Sequence, residues 1–183
     1  MPLTLCIPEK EYFDPETNEF FSTKKTVVTL EHSLISISKW ESKWHKAYLA
    51  NNQKTEEEVR DYIRCMLITN VTDKYVLRAL VSDRKLLDKI LAYIQDPMTA
   101  TVTNSKGQKT SREVITNELI YCWMVSLKIP FEPCEKWHLN RLMKLIEVCA
   151  IKNTPPKKMS KGDIMRRNSA LNAKRRAMHH TSG

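Results

Sequence analysis

Cys134 and His138 are the residues whose types and spacing come closest to those of a metal site. They lie one helical turn apart, with Cys122 and Cys149 on either side along the chain. A Cys-x3-His pair can chelate, but structural zinc sites usually bring paired ligands from two separate knuckles. The alternative is a cysteine at a helix start, an amphipathic histidine and two core thiols. We therefore predict no metal and no cofactor.

The same cysteine and histidine could also form a nucleophile–base pair. Nothing nearby in the sequence supplies an orienting third group or an oxyanion cradle. Carboxylates on the predicted helices, Asp61, Glu118 and Glu147, fit solvated polar faces better than an acid–base pair. Only three glycines occur in the 183 residues, so neither a P-loop nor a dinucleotide fingerprint can be built. These observations predict that the protein is not an enzyme.

Trp40 and Trp44 lie one helical turn apart and could stack on nucleic-acid bases. The same spacing places them beside Ile37 and Tyr48 on one helix face. Aromatic residues in such a stripe are more typical of a hydrophobic core. A core role is therefore the favoured interpretation of the two indoles.

The net charge of +9 is concentrated at one end of the chain. From Pro156 onward eight basic residues face one acid, Asp163, which leaves about +2 for everything before this segment. This tail could bind phosphates, bind an acidic protein surface or keep the chain soluble. It lacks interleaved aromatic residues, so sequence-specific base reading is not indicated. Its basic residues are Lys157, Lys158, Lys161, Arg166, Arg167, Lys174, Arg175 and Arg176.

The first 31 residues have the composition of β structure. Strands are predicted at residues 3–7 and 26–30, and the turn-rich stretch 14–18 lies between two aromatic pairs that would belong to a hairpin. A further short strand is predicted at residues 98–102. So small a sheet needs helices against one face.

Helical periodicity dominates from Ser33 onward. Thr55 and Glu58 form a capping box before a helix with Val59, Tyr62, Ile63, Met66 and Leu67 on one face. A short helix is predicted near residues 73–80, and Ser82 is expected to cap the next one, which ends at Asp96-Pro97.

A helix pair within residues 111–159 is predicted to form the hydrophobic centre. Its first apolar face contains Ile115, Leu119, Cys122 and Trp123, and Pro130 and Pro133 break the pattern before the second helix. The apolar face of the second helix comprises Leu139, Leu142, Met143, Ile146, Cys149 and Ala150. A final helix is expected to begin at Ser160 and run through Ala177.

The predicted fold class is α+β and predominantly α: a small N-terminal β-sheet packed on a multi-helix bundle, with a basic C-terminal helix. Residues 1–155 would form the globular domain, with 1–31 as the β region and 33–154 helical apart from the strand near 98–102. Residues 156–183 would be the basic tail. Five scattered cysteines without a CxxC, no apolar run of about 20 residues and no secretory signal predict a cytosolic protein.

Several ordered segments resemble the tail assembly chaperones of long-tailed bacteriophages. They are LEHSLISISKWESKW (30–44), EVRDYIRCM (58–66), MTATV (98–102), SREVITNELIYCWM (111–124), KWHLNRLMKLI (136–146) and PPKKMSKGDIMRRNSALNAKRR (155–176). The resemblance covers nearly the whole chain, although none of its segments is a catalytic motif.

The resemblance implies a non-enzymatic assembly factor that coats the tape measure protein, keeps it soluble and helps recruit tail tube subunits. Such chaperones act in the cytoplasm of the infected bacterium and are generally absent from the finished virion. Many are made in two lengths by ribosomal frameshifting, so self-association or pairing with a long form are further options. No catalytic residue is carried over from the family.

The partner-binding hypothesis assigns an apolar surface to Trp40, Trp44 and Tyr48, because a tape measure is a long helix with exposed apolar faces. Charge contacts are assigned to Lys157, Lys158, Arg166, Arg167, Lys174, Arg175 and Arg176. The second hypothesis is a virion structural or head–tail connector protein. The third, which rests on the tail alone, is a nonspecific nucleic-acid-binding accessory protein.

Overall fold

The computed structural model describes residues 1–14, 17–50, 53–71, 73–103, 113–154 and 160–179. Within these ranges the chain forms four strands followed by eight helices. The α+β class, predominantly α with a small N-terminal β region, is confirmed. The chain divides into two compact units, Met1–Ala150 and Ile151–Gly183.

The β region consists of two antiparallel ribbons. Strand β1 (Leu3–Ile7) pairs with β4 (Thr26–Leu30), and β2 (Lys10–Asp14) pairs with β3 (Glu19–Thr23) in the predicted hairpin. Alternate residues point inward along β1, β3 and β4, as the two-residue period of a strand requires. Because a two-stranded ribbon is marginal alone, both ribbons depend on helix packing.

Helices α1 (Leu34–Trp44) and α2 (Glu56–Met66) form the most closely packed helix pair. The predicted capping box of α2 is confirmed: Glu58 N donates to Thr55 Oγ1 at 3.2 Å, and Thr55 N donates to the Glu58 carboxylate at 2.7 Å. Helix α3 (Lys74–Ser82) covers the β2–β3 ribbon, and Tyr75 stacks on Phe21.

Helix α4 (Arg84–Gln95) is capped by Asp83, not by Ser82 as expected. The Asp83 carboxylate accepts from Lys85 N at 3.0 Å, while Ser82 is the last residue of α3. Aspartate and serine both cap well. Because α3 ends at Ser82 and α4 begins at Arg84, Asp83 occupies the N-cap position of α4.

The predicted strand at residues 98–102 is wrong. Asp96 Oδ1 accepts from Met98 N at 2.7 Å, and Thr99 Oγ1 accepts from Thr101 N at 3.1 Å. Such side-chain turns offer the backbone an alternative to a strand ladder. Residues 98–103 are therefore irregular.

The helix pair predicted as the centre also needs correction. Helices α5 (Asn117–Ser126) and α7 (Leu139–Asn153), separated by the short α6 (Phe131–Cys134), make at most a slight contact with each other. Instead α5 packs on α1. It buries Ile120 and Met124, whereas Cys122 on the predicted face is exposed. On α7 the predicted Leu139, Leu142 and Ile146 are indeed buried, but Ala150 is exposed.

One buried carboxylate joins α1, the following loop and α5. Glu41 Oε1 accepts from Tyr48 N at 2.7 Å, and Oε2 accepts from Asn117 N at 2.8 Å. Both hydrogen bonds are of the charge-assisted kind. Asn117 N is one of the backbone donors that the start of α5 leaves without a helical partner, and Tyr48 N lies in the loop after α1. Glu41 thereby fixes where Tyr48 lies relative to α1.

Helix α8 (Lys161–His179) belongs to the second unit. The predicted Ser160 cap is present: Asp163 N donates to Ser160 Oγ at 3.1 Å. No residue of α8 is buried.

Candidate functional site

The three aromatic residues predicted to bind a partner lie in different environments. Trp40 is 1% exposed, and its Nε1 donates to the Glu58 carbonyl at 2.9 Å. Trp44 is half-buried, and its Nε1 donates to Asp61 Oδ2 at 2.9 Å. Both indoles tie α1 to α2. Trp40 is thus a core residue in this conformation, and only Trp44 and Tyr48 remain as candidates for an accessible surface.

Tyr48 stacks on Tyr62, with ring centroids 3.9 Å apart, and its half-buried ring lies beneath the Lys54 ammonium at 4.6 Å. Burial raises the pKa of the Tyr48 hydroxyl, which keeps it neutral at any physiological pH. The stack gives α2 a flat aromatic edge next to the loop that follows α1.

This edge borders a pocket between α2 and α4, which we call the α2/α4 groove. Its volume is about 160 Å³. An apolar cavity of about this size can hold a benzene ring. The lining residues are Tyr48, Lys54, Val59, Tyr62, Ile63, Ile90, Leu91 and Ile94.

The groove combines a buried floor with an accessible rim. Ile63 and Ile90 are 1% and 0% exposed, whereas Leu91 is 41% exposed. Lys54 is the only charged residue among its lining residues. Such a pocket suits one bulky apolar side chain.

Sequence reasoning missed the α4 half of this groove. The signal was present, because Leu86, Leu87, Ile90, Leu91 and Ile94 form a wider apolar face than a single contact requires. Leu86 and Ile90 are buried in the core, and Leu91 is exposed at the surface.

A second cluster of polar residues is buried. The His32 and His138 rings meet edge to face at 5.0 Å, His32 Nδ1 and the Tyr62 hydroxyl are hydrogen-bonded, and His138 Nε2 donates to the Tyr93 carbonyl at 2.9 Å. Burial, reinforced by the neighbouring His138, lowers the pKa of His32 to about 3, and burial also lowers the pKa of His138.

Both histidines are at most 2% exposed, so neither ring can exchange a proton with a bound solute. Leu139 N donates to the His32 carbonyl at 2.8 Å, and Ser33 forms a β-bridge with His138. The cluster therefore joins the start of α1 to the start of α7 and serves packing.

The thiol of Cys134, the possible nucleophile, is not activated by its surroundings. Cys134 is buried, and desolvation raises the pKa of its thiol, the opposite of what activates a nucleophile. Cys122 is exposed. Among the residues that the structure describes, no three His, Cys, Asp or Glu side chains are grouped to hold a metal ion.

The basic residues predicted to contact a partner fall largely on α8. Arg166, Arg167, Lys174, Arg175 and Arg176 are all exposed there, together with Lys161. Lys157 and Lys158 lie outside the described residues. Asp163 is the one acid of the helix.

Comparison with known proteins finds no matching family model, no matching curated protein and no matching solved structure. Of the helices in the described ranges, none combines the length and apolar character needed to cross a membrane.

Proposed function

We propose that this protein is a phage tail assembly chaperone, which binds and solubilises the tape measure protein and helps recruit tail tube subunits. The observation that carries the proposal is the α2/α4 groove, because it offers an apolar pocket with an exposed rim. The segments that resemble the chaperone family supply the identity of the partner. The proposal also places the protein in the host cytoplasm and outside the mature virion.

An amphipathic helix binds such a groove by inserting apolar anchors, spaced three or four residues apart, between two helices. The pocket of about 160 Å³ accepts one anchor. Leu91 and the half-buried Tyr48 then cover the neighbouring turn of the bound helix. A long helical partner with repeated apolar residues can bind many copies in this way.

The test is co-expression with the tape measure protein of the same genome, followed by size-exclusion chromatography. We expect a soluble tape measure that co-elutes with many copies of this chain. Leu91→Glu should abolish co-elution, because it places a charge at the rim of an apolar pocket. Val125→Glu is the matched control, since Val125 is 62% exposed on α5 and does not line the groove.

The proposal fails if the tape measure stays insoluble and this chain elutes alone. Mass spectrometry of purified particles then tests the second hypothesis, a structural or connector protein, which predicts a stoichiometric signal in the virion. Equal losses for Leu91→Glu and Val125→Glu would remove the groove from the mechanism while leaving the chaperone activity in place.

A further inference from the structure

The C-terminal helix carries a line of apolar residues at a spacing of seven. Ile164, Leu171 and Met178 are 44%, 44% and 67% exposed. Seven residues of an α-helix fall about 20° short of two full turns, so these side chains follow one narrow stripe. We call it the α8 stripe.

Basic residues border the α8 stripe on both sides. Arg167 and Lys174 follow its first two members by three residues, and Arg175 follows Leu171 by four. In a heptad with the stripe at position a, these are the d and e positions. A coiled-coil seam would have apolar residues at d, so α8 supplies half of a seam and a row of positive charge.

We infer that α8 docks on an acidic amphipathic helix whose apolar residues repeat every seven and are flanked by Glu or Asp. This deepens the proposed function, on which it rests for its setting, by naming the chemistry of the tape measure segment that the tail recognises. Burying the α8 stripe removes exposed apolar area from water, and the flanking carboxylates neutralise the bordering cations.

Two other polyanionic surfaces fit α8 less well. Phosphate binding requires positive charge alone. The α8 stripe would then face phosphate groups, which bury no apolar area and so do not explain its presence. A helix that lies in a membrane surface has a broad apolar face with aromatic or leucine anchors. The α8 stripe is narrow and contains no aromatic residue.

The experiment titrates the protein into a labelled helical peptide with Leu at one position in every seven and Glu at the positions that flank it on the same helix face. Fluorescence anisotropy reports binding, with a DNA duplex and phosphatidylserine vesicles as the alternative probes. We expect the peptide to bind more tightly than either. The peptide with Lys in place of Glu should not bind.

Matched variants separate the α8 stripe from the rest of the helix. Leu171→Gln should weaken peptide binding about tenfold or more, as expected from losing one buried leucine. Met165→Gln should have little effect, because Met165 is 76% exposed and lies about a quarter turn off the stripe. Lys174→Glu with Arg175→Glu should weaken binding more than Arg166→Glu with Arg176→Glu, which changes the same charge on the opposite side.

Equal effects within either matched set overturn the inference, as does tighter binding to DNA or vesicles than to the peptide. Its failure can be told apart from failure of the proposed function. If the peptide does not bind and the Leu171→Gln protein still solubilises the tape measure, the docking inference is wrong and the chaperone function stands. If the peptide binds as expected and the tape measure stays insoluble, the chaperone function is wrong.

Discussion

Met1–Ala150 and α8 use their apolar residues in opposite ways. Each of α1 to α7 places at least one residue in the core, whereas α8 has no buried residue. The first unit has a buried core and pairs most of its buried polar groups internally, including both oxygens of Glu41. On α8 the residues of the α8 stripe and the basic residues that border it are all exposed. The difference indicates that burial within the chain stabilises the first unit, whereas α8 has no buried residue that could stabilise it in the same way.

Trp40→Ala should produce the largest effect, because it removes a fully buried indole from the α1–α2 contact. We expect a loss of about 3–5 kcal/mol in the free energy of unfolding, as for other large-to-small core substitutions. Trp44→Ala should cost clearly less, since that ring is half-buried. Urea unfolding monitored by circular dichroism measures both. Equal losses would place the two indoles in the same environment and contradict the structure.

Acidification should destabilise the first unit by less than the loss expected for Trp40→Ala. The unfolded chain protonates His32 near its ordinary pKa of 6.5, but the folded protein resists until about pH 3. The unfolded state therefore binds more protons between these values, so stability is complete above about pH 6.5 and falls as pH decreases. For His32 alone the loss by pH 5 is about 2 kcal/mol.

Urea midpoints at pH 7 and pH 5 measure this loss, with far-ultraviolet circular dichroism as the readout. The His32→Gln protein should show a smaller pH dependence, although the buried His138 retains its own contribution. The same substitution at His45, which is exposed, is the control and should leave the pH dependence unchanged. A pH dependence that is identical in all three proteins would exclude the buried histidine as its source.

Leu171→Ala on α8 should produce the smallest effect. Leu171 is 44% exposed, and surface substitutions of this kind change the free energy of unfolding by less than about 0.5 kcal/mol. The urea midpoint should match that of the unmodified protein. A loss comparable to that of Trp40→Ala would show that α8 is an integral part of the folded core, and the contrast between the two units would not hold.

Local signals predicted much of the fold because they act within a few residues. The Thr55–Glu58 capping box, the Ser160 cap and the β2–β3 hairpin all occur where the sequence placed them. The strand at residues 98–102 was wrong because extended composition competes with Asp96 and Thr99, whose side chains form turns instead. The predicted face of this segment was wrong at Cys122, which is exposed, whereas Ile115 and Trp123 do pack against the core. Because α5 is apolar around most of its surface, periodicity cannot choose which of its residues face inward.

Only part of the candidate site could be predicted from the sequence, for a similar reason. Tyr48 was identified by its place in an aromatic stripe, but the α2/α4 groove also needs Leu91 and Ile94, which lie more than 40 residues away in sequence. Trp40 and Trp44 look equivalent by spacing, and only the packing of α2 against α1 buries one and leaves the other half-exposed.

By itself the sequence determined the fold class, the positions of most helices, the basic character of the tail and the spacing of its apolar residues. These follow from periodicity, capping and charge, which depend on neighbours along the chain. The tertiary structure alone decided which apolar faces meet, that Glu41 joins α1 to α5, and that His32 and His138 share one buried cluster. Those outcomes depend on side chains that are distant in sequence competing for the same interior volume, and no local pattern records that competition.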